Sequence, residues 1–184
     1  MHIISGKYKG AALKAPAGIR PTEDRVRKAL FDILGDMTGC SFLELFAGSG
    51  AVGLEALSLG AQGVVLVEKD RTGLHAIRGN ISGLKPQPSG TAIEVYQDDA
   101  MEAVSRLSGQ GRRFDVIFAD PPYYKGLSEK ILQSIEEYDI LNDISGFLII
   151  QHFKKDPLPS KQGNLVLFKQ SRYGDTVLSF YQHP

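Results

Sequence analysis

The sequence predicts an α/β protein: a seven-stranded, mostly parallel sheet ending in an antiparallel hairpin, preceded by a small N-terminal hairpin-and-helix extension. Two observations carry this prediction. From residue 41 onward, apolar runs at 42–46, 64–67, 92–96, 116–119 and 147–150 alternate with helical patterns at 52–59, 72–84, 100–107 and 128–138. Strands that alternate with helices form parallel sheets covered on both faces, and such strands read as continuous apolar runs. The end of the chain differs. Residues 165–169 and 176–181 are strands separated only by the stretch at Arg172, Tyr173, Gly174 and Asp175, so they pair as a hairpin. That ending sets the sheet apart from the all-parallel dinucleotide-binding fold.

The extension, residues 1–38, precedes the main domain, residues 39–184. Residues 3–5 and 11–14 read as short strands around a turn containing Gly6 and Gly10, and 16–21 reads as a loop. Thr22 fits a helix N-cap, with Glu23 and Asp24 in the first turn where they suit the helix dipole. Val26, Ala29, Leu30, Ile33 and Leu34 follow at helical spacing up to Gly35.

Composition bounds the function. The chain has 184 residues, 42% hydrophobic and 23% charged, enough for one ordinary core. Its longest apolar runs are far too short to span a membrane, and the start lacks the apolar stretch of a signal peptide, so a cytoplasmic protein is expected. Cys40 is the single cysteine and the four histidines are scattered, so no metal site is expected. The net charge is zero but unevenly spread: residues 1–28 carry seven bases and two acids. A basic arm of this kind suits a polyanion, and Lys7, Lys9, Arg20, Arg25 and Arg27 are its candidate RNA contacts.

Glu44, Leu45, Phe46, Ala47, Gly48, Ser49 and Gly50 run from the first strand into a helix. The glycines permit a tight turn and close approach of backbone to a ligand at Phe46–Gly50. Glu44 could pair with an ammonium group and would repel a pyrophosphate. Glu68 closes the second strand, followed by Lys69, where a carboxylate can accept both hydroxyls of a ribose. After the third strand, Asp99 could accept from an adenine amino group and Ala100 could offer its N–H to a ring nitrogen; Asp98 or Asp99 could equally cap the next helix. A ligand with a ribose and an amino group but no need for phosphate is S-adenosylmethionine rather than NAD.

The fourth strand runs into Asp120, Pro121, Pro122 and Tyr123. Two prolines fix two φ angles and remove two donors, which leaves a rigid loop with free carbonyls. Asp120 and the Pro121 carbonyl can accept both protons of one substrate amine, and Tyr123 offers a ring on which a base can stack. An exocyclic base amine is a poor nucleophile because its lone pair is delocalised. Holding both N–H groups favours a pyramidal nitrogen that can attack a sulfonium methyl.

These segments resemble the bacterial family that methylates guanine N2 in 16S ribosomal RNA, along essentially the whole chain. The likeness rests on Ile3–Gly6 with Lys9 and Gly10, the stretch from Arg20 to Phe31, the loop Leu45–Gly50 with Gly53–Leu57, Glu68, Asp99, Asp120–Tyr123, and Tyr173–Thr176. The resemblance implies a class I S-adenosylmethionine-dependent methyltransferase fold. It also implies a monomeric rRNA (guanine-N2-)-methyltransferase that acts on 16S rRNA or the small ribosomal subunit. The chain departs from the family at Gln151-His152, after the fifth strand, where members often carry a glutamate.

Three other readings compete. An adenine-N6 or cytosine-N4 methyltransferase would use the same tetrapeptide, but a sequence-selective DNA enzyme normally adds a recognition domain for base edges. An NAD-dependent oxidoreductase explains the glycines and Glu68 but not Asp120–Tyr123. An RNA-binding protein without turnover leaves the intact cofactor and catalytic segments unexplained.

Overall fold

The computed structural model describes residues 1–16, 24–84, 92–123, 126–142 and 145–184. In chain order the elements are α1 (Asp24–Leu34), β1 (Ser41–Leu45), α2 (Ala51–Ser58), β2 (Gly63–Glu68), α3 (Arg71–Gly83), β3 (Ala92–Gln97), α4 (Ala100–Gly109), β4 (Val116–Ala119), α5 (Leu127–Tyr138), β5 (Phe147–Phe153), β6 (Lys161–Gln162), β7 (Leu165–Tyr173) and β8 (Thr176–Gln182). They form one sheet in the order β3-β2-β1-β4-β5-β8-β7-β6. The first five strands are parallel; β8 enters antiparallel beside β5 and β7 pairs antiparallel with β8.

The sheet has eight strands, not the seven expected. The addition is β6, whose Lys161 and Gln162 pair with Val166 and Leu165. Two polar residues have no strand pattern of their own, and only the neighbouring β7 makes them one. The N-terminal hairpin is also smaller than expected. Residues 3–5 and 11–14 form no regular strands; a single antiparallel bridge joins His2 and Ala12. Backbone bonds from Ile3 to Ala11, Gly10 to Ile3 and Leu13 to Met1 close the pair, and the turn also bonds to helix α2, with the Lys7 N–H donating to the Ser58 carbonyl at 2.8 Å and the Tyr8 N–H to Ser58 Oγ at 2.9 Å. Most of the expected 16–21 loop, Thr22 as N-cap and Arg20 lie outside the described residues.

Side chains alternate across the strands and sort the core into two layers. Phe42, Val64, Leu66, Val116, Phe118 and Ile149 pack with α1, α2, α3 and the N-terminal segment through Ile3, Leu13, Val26, Leu30, Leu54 and Ile77. Leu43, Leu45, Val65, Val67, Ile117 and Ile150 pack with α4 and α5 through Val104, Leu107, Ile131 and Ile135. The N-terminal extension therefore shares the core of the main fold. The C-terminal ends of the parallel strands, where open α/β sheets hold ligands, bring together the segments after Leu45, Glu68, Gln97 and Ala119.

Candidate active site

The loop after β1 is shaped by left-handed backbone. Phe46 (φ 59°), Gly48 (φ 55°) and Gly50 (φ 73°) all have positive φ. Glycine adopts that region freely; at Phe46 it is strained, costing roughly 1–2 kcal/mol, and the surroundings must hold it. The Ala47 N–H donates to the Val67 carbonyl at 2.9 Å and the Gly50 N–H to the Ala47 carbonyl at 2.7 Å. The loop is thereby tied to the end of β2, and Gly50 caps α2.

Glu68 completes that tie. Its Oε2 accepts the Gly48 N–H at 2.7 Å and its Oε1 the Asp70 N–H at 2.7 Å, and the residue is 9% exposed. Among the described residues no lysine or arginine pairs with it, so its remaining lone pairs suit neutral donors such as hydroxyls. Gly73 on α3 makes this packing possible, because a Cβ there would lie 2.7 Å from Glu68 Cγ and 3.0 Å from the Gly48 carbonyl oxygen.

Glu44 is enclosed: it is 3% exposed and its Oε2 accepts the Gly53 N–H of α2 at 2.7 Å. Burial pushes its carboxyl up to about 8, against the opposing pull of the Gly53 and Val52 amides. The Asp120 charge pushes the same way and the Arg27 guanidinium opposes it. Glu44 thus clamps α2 in addition to whatever a ligand ammonium would draw from it.

Asp99 caps α4, accepting from the Met101 N–H at 3.1 Å, and also pairs with exposed Lys69 at 3.2 Å. The capping alternative is realised by Asp99. Asp98 instead accepts the Asp99 N–H and pairs with Arg106 at 2.8 Å. Ala100 is buried at the first position of α4.

The Asp120 N–H reaches the Leu45 carbonyl at 3.5 Å, which sets the tetrapeptide beside the cofactor loop. Pro121 is buried and Pro122 exposed. The Tyr123 ring lies 5.8 Å from the Phe153 ring, and its Oη is 3.2 Å from Thr176 Oγ1 at the start of β8. The terminal hairpin therefore holds the aromatic member of the loop.

The basic arm divides. Lys7, Lys9 and Arg25 are exposed. Arg27 is corrected as an RNA contact: it is 0% exposed, with its guanidinium 3.3 Å from Glu55, 3.0 Å from Asp24 and hydrogen-bonded to the His2 carbonyl at 2.5 Å. A side chain so enclosed cannot reach a nucleic acid; it braces α1 against α2.

Sequence reasoning also passed over Asn80 and Glu55. Buried Asn80 donates to the Ser49 and Lys14 carbonyls at 2.9 and 3.0 Å and accepts the Lys14 N–H at 2.8 Å, joining cofactor loop, α3 and N-terminal segment. Glu55 accepts the Ile4 N–H at 2.9 Å and the Ser5 N–H at 2.7 Å. The available signal was a polar residue inside a helix, where asparagine is a weak former and an acid in an apolar helix such as α2 calls for a partner. Among the described residues no cluster of potential metal ligands occurs, and no helix is long and apolar enough to cross a membrane.

Comparison with known proteins agrees with this arrangement. The family model described as "Conserved hypothetical protein 95" matches residues 1–182. "Ribosomal RNA small subunit methyltransferase D" of Escherichia coli K12 is 34% identical over 185 aligned residues, covering 99% of this chain and 89% of that protein. A solved hypothetical protein of Thermus thermophilus superposes with a TM-score of 0.84 at 34% identity, covering 99% of each chain. A SAM-dependent methyltransferase from Agrobacterium tumefaciens shares the fold at a TM-score of 0.62 and 17% identity, covering 91% of this chain and 63% of that one. The chain belongs to the small-subunit ribosomal RNA methyltransferase D family, with the class I fold of S-adenosylmethionine-dependent methyltransferases.

Proposed function

We propose that this protein methylates the exocyclic N2 amine of a guanine in 16S ribosomal RNA, using S-adenosylmethionine. The observation that carries the reading is the adjacency of two segments: an Asp-Pro-Pro-Tyr loop at 120–123, tethered to Leu45, beside a glycine loop closed by Glu68. S-adenosylmethionine supplies an electrophilic methyl group and departs as a neutral thioether.

The chain's own residues do the rest. Glu68, fixed by two amides, accepts the ribose hydroxyls, and Lys69, Asp99 and Ala100 border the adenine. Phe46, Ala47, Gly48, Ser49 and Gly50 line the cofactor with backbone, and Glu44 faces its ammonium side. Asp120 and the Pro121 carbonyl accept hydrogen bonds from the two amine N–H groups, the proton released as the N–CH₃ bond forms passes to the Asp120 carboxylate and on to solvent, and Pro122 keeps the loop stiff. Tyr123 stacks on the base, held by Phe153 and Thr176. Catalysis is then mostly orientation and polarisation. Lys7, Lys9 and Arg25 contact RNA phosphates, together with Arg20 outside the described residues.

The deciding experiment is tritiated methyl transfer to 30S subunits from a strain lacking the enzyme, followed by nucleoside analysis. N2-methylguanosine is expected; N6-methyladenosine or N4-methylcytidine would overturn the guanine assignment, and no transfer would overturn the activity.

Two substitutions test the site. Glu68→Ala is expected to weaken S-adenosylmethionine binding by roughly 10- to 150-fold in calorimetry, the worth of a hydrogen bond to a charged group. Part of that loss comes from the loop, since the Gly48 and Asp70 amides lose their acceptor as well. Unchanged affinity in folded protein would remove Glu68 from the site. Tyr123→Ala is expected to lower capture of the base by roughly 5- to 150-fold, because stacking on an aromatic ring is worth about 1–3 kcal/mol. Tyr123→Phe keeps the ring while losing the Thr176 contact, so it is expected to retain most activity in single-turnover assays. Equal damage in both variants would assign the function to the hydroxyl.

A further inference from the structure

Gln151 has an unexplained side chain. It is 5% exposed, and its buried Oε1 has no hydrogen-bond partner. A buried acceptor left without a donor is costly, so a group that supplies one is expected in the working complex.

Its place identifies that group. Strands β4 and β5 pair Ala119 with Ile150, so Asp120, the first residue past β4, follows on beside Gln151 of β5. Phe118 and Ile149 lie in one core layer, Ala119 and Ile150 in the other. Alternation therefore carries Gln151 back to the layer of Ile149, and its partner across β8, Leu178, lies in that layer too. The same alternation, Phe118 in one layer and Ala119 in the other, carries Asp120 to that side, where its N–H reaches the Leu45 carbonyl. Two residues on from Gln151, on the same face of β5, Phe153 supports the Tyr123 ring. The unpaired oxygen thus neighbours both the amine-holding acid and the stacking ring.

We propose that Gln151 is a specificity-determining residue: its Oε1 accepts the ring N1–H of the target guanine while Asp120 holds the adjacent amine. This rests on the guanine reading given above. Guanine is the amino base whose exocyclic NH₂ stands beside a protonated ring nitrogen. In adenine and cytosine the ring nitrogen beside the amine on the Watson–Crick edge is an acceptor. Facing Gln151 Oε1, it would set two lone pairs against each other, and the amide would have to turn to offer Nε2 instead. One acceptor beside the amine-binding acid therefore separates guanine from the other two.

The test uses intact enzyme and reconstituted small subunits. Their 16S rRNA carries either guanosine or 2-aminopurine riboside at the nucleotide that wild type methylates. 2-Aminopurine keeps the amine and lacks the N1–H. Wild type is expected to favour guanosine by at least about tenfold in kcat/KM, and Gln151→Met, of similar shape without the acceptor, to lose about tenfold on guanosine alone. The guanosine-to-2-aminopurine ratio then collapses, while S-adenosylmethionine affinity stays at the wild-type value and the thermal midpoint does not fall, because Met removes an unpaired buried acceptor. A ratio unchanged in Gln151→Met, or a wild type that does not discriminate, overturns the proposal even if guanine is methylated. Methylation by wild type of adenine or cytosine instead overturns the guanine reading, and the role of Gln151 with it.

Discussion

Asp120→Ala is expected to slow methyl transfer by roughly 10²–10³-fold, the size of effect seen when one preorganised polar group is removed from a reacting centre. S-adenosylmethionine affinity should stay within about twofold of wild type, because the interaction grows as the substrate nitrogen becomes pyramidal and is weak in the ground state. The structure makes this separation reasonable. Asp120 follows β4, while the cofactor loop is held by bonds from Ala47 to Val67, Gly48 to Glu68 and Asn80 to Ser49. Removing the carboxyl leaves that scaffold intact. Single-turnover transfer with saturating RNA, set beside calorimetry for S-adenosylmethionine, measures the two effects independently. Turnover at the wild-type rate would end the amine-activation mechanism. A parallel loss of cofactor affinity would mean that Asp120 acts on the donor rather than on the amine.

The parts of this fold that could be read from sequence are those where local pattern and final environment agree. Strands β1, β2, β4 and β5 are buried on both faces, so their apolar runs are plain in the sequence, and α3, α4 and α5 keep one apolar side while α2 is buried all round. The glycine loop and the prolines at 121–122 announce backbone geometry directly, since few other residues adopt it. Whatever depends on a distant partner stayed hidden. Strand β6 exists because β7 lies beside it. The turn at 6–10 closes a short hairpin, and its additional bonds to Ser58 of α2 depend on a partner about fifty residues away. Arg27 reads as one more cation in a basic segment, because its acid, Glu55, lies 28 positions away in an otherwise apolar helix. Gln151 could be noticed as a departure, but its meaning needed the register of β4 with β5. The interpretable signal at such places is a polar residue where the pattern calls for an apolar one.

Arg27→Met is expected to destabilise the fold by roughly 3–5 kcal/mol, the cost of removing one member of a buried ion pair and stranding the other. Both side chains are closed to solvent, Arg27 at 0% and Glu55 at 1% exposure. In a chain of this length a loss of that size lowers the thermal midpoint by roughly 6–20 °C. Glu55 would keep its two backbone donors, Ile4 and Ser5, but lose its cation. This distinguishes two rescue variants. Arg27→Met with Glu55→Gln removes the stranded charge while leaving an acceptor for those amides, so it should recover a substantial part of the loss. Arg27→Met with Glu55→Leu removes the charge but orphans the Ile4 and Ser5 N–H groups, so it should recover less. Denaturant unfolding of the three variants gives the ordering. Because the brace joins α1 and the N-terminal segment to α2, the helix that follows the cofactor loop, loosening it should also weaken methyl-donor binding without any direct contact. If Arg27→Met matched wild type in stability and lost only RNA affinity, the guanidinium would be a surface contact after all and the brace would be wrong.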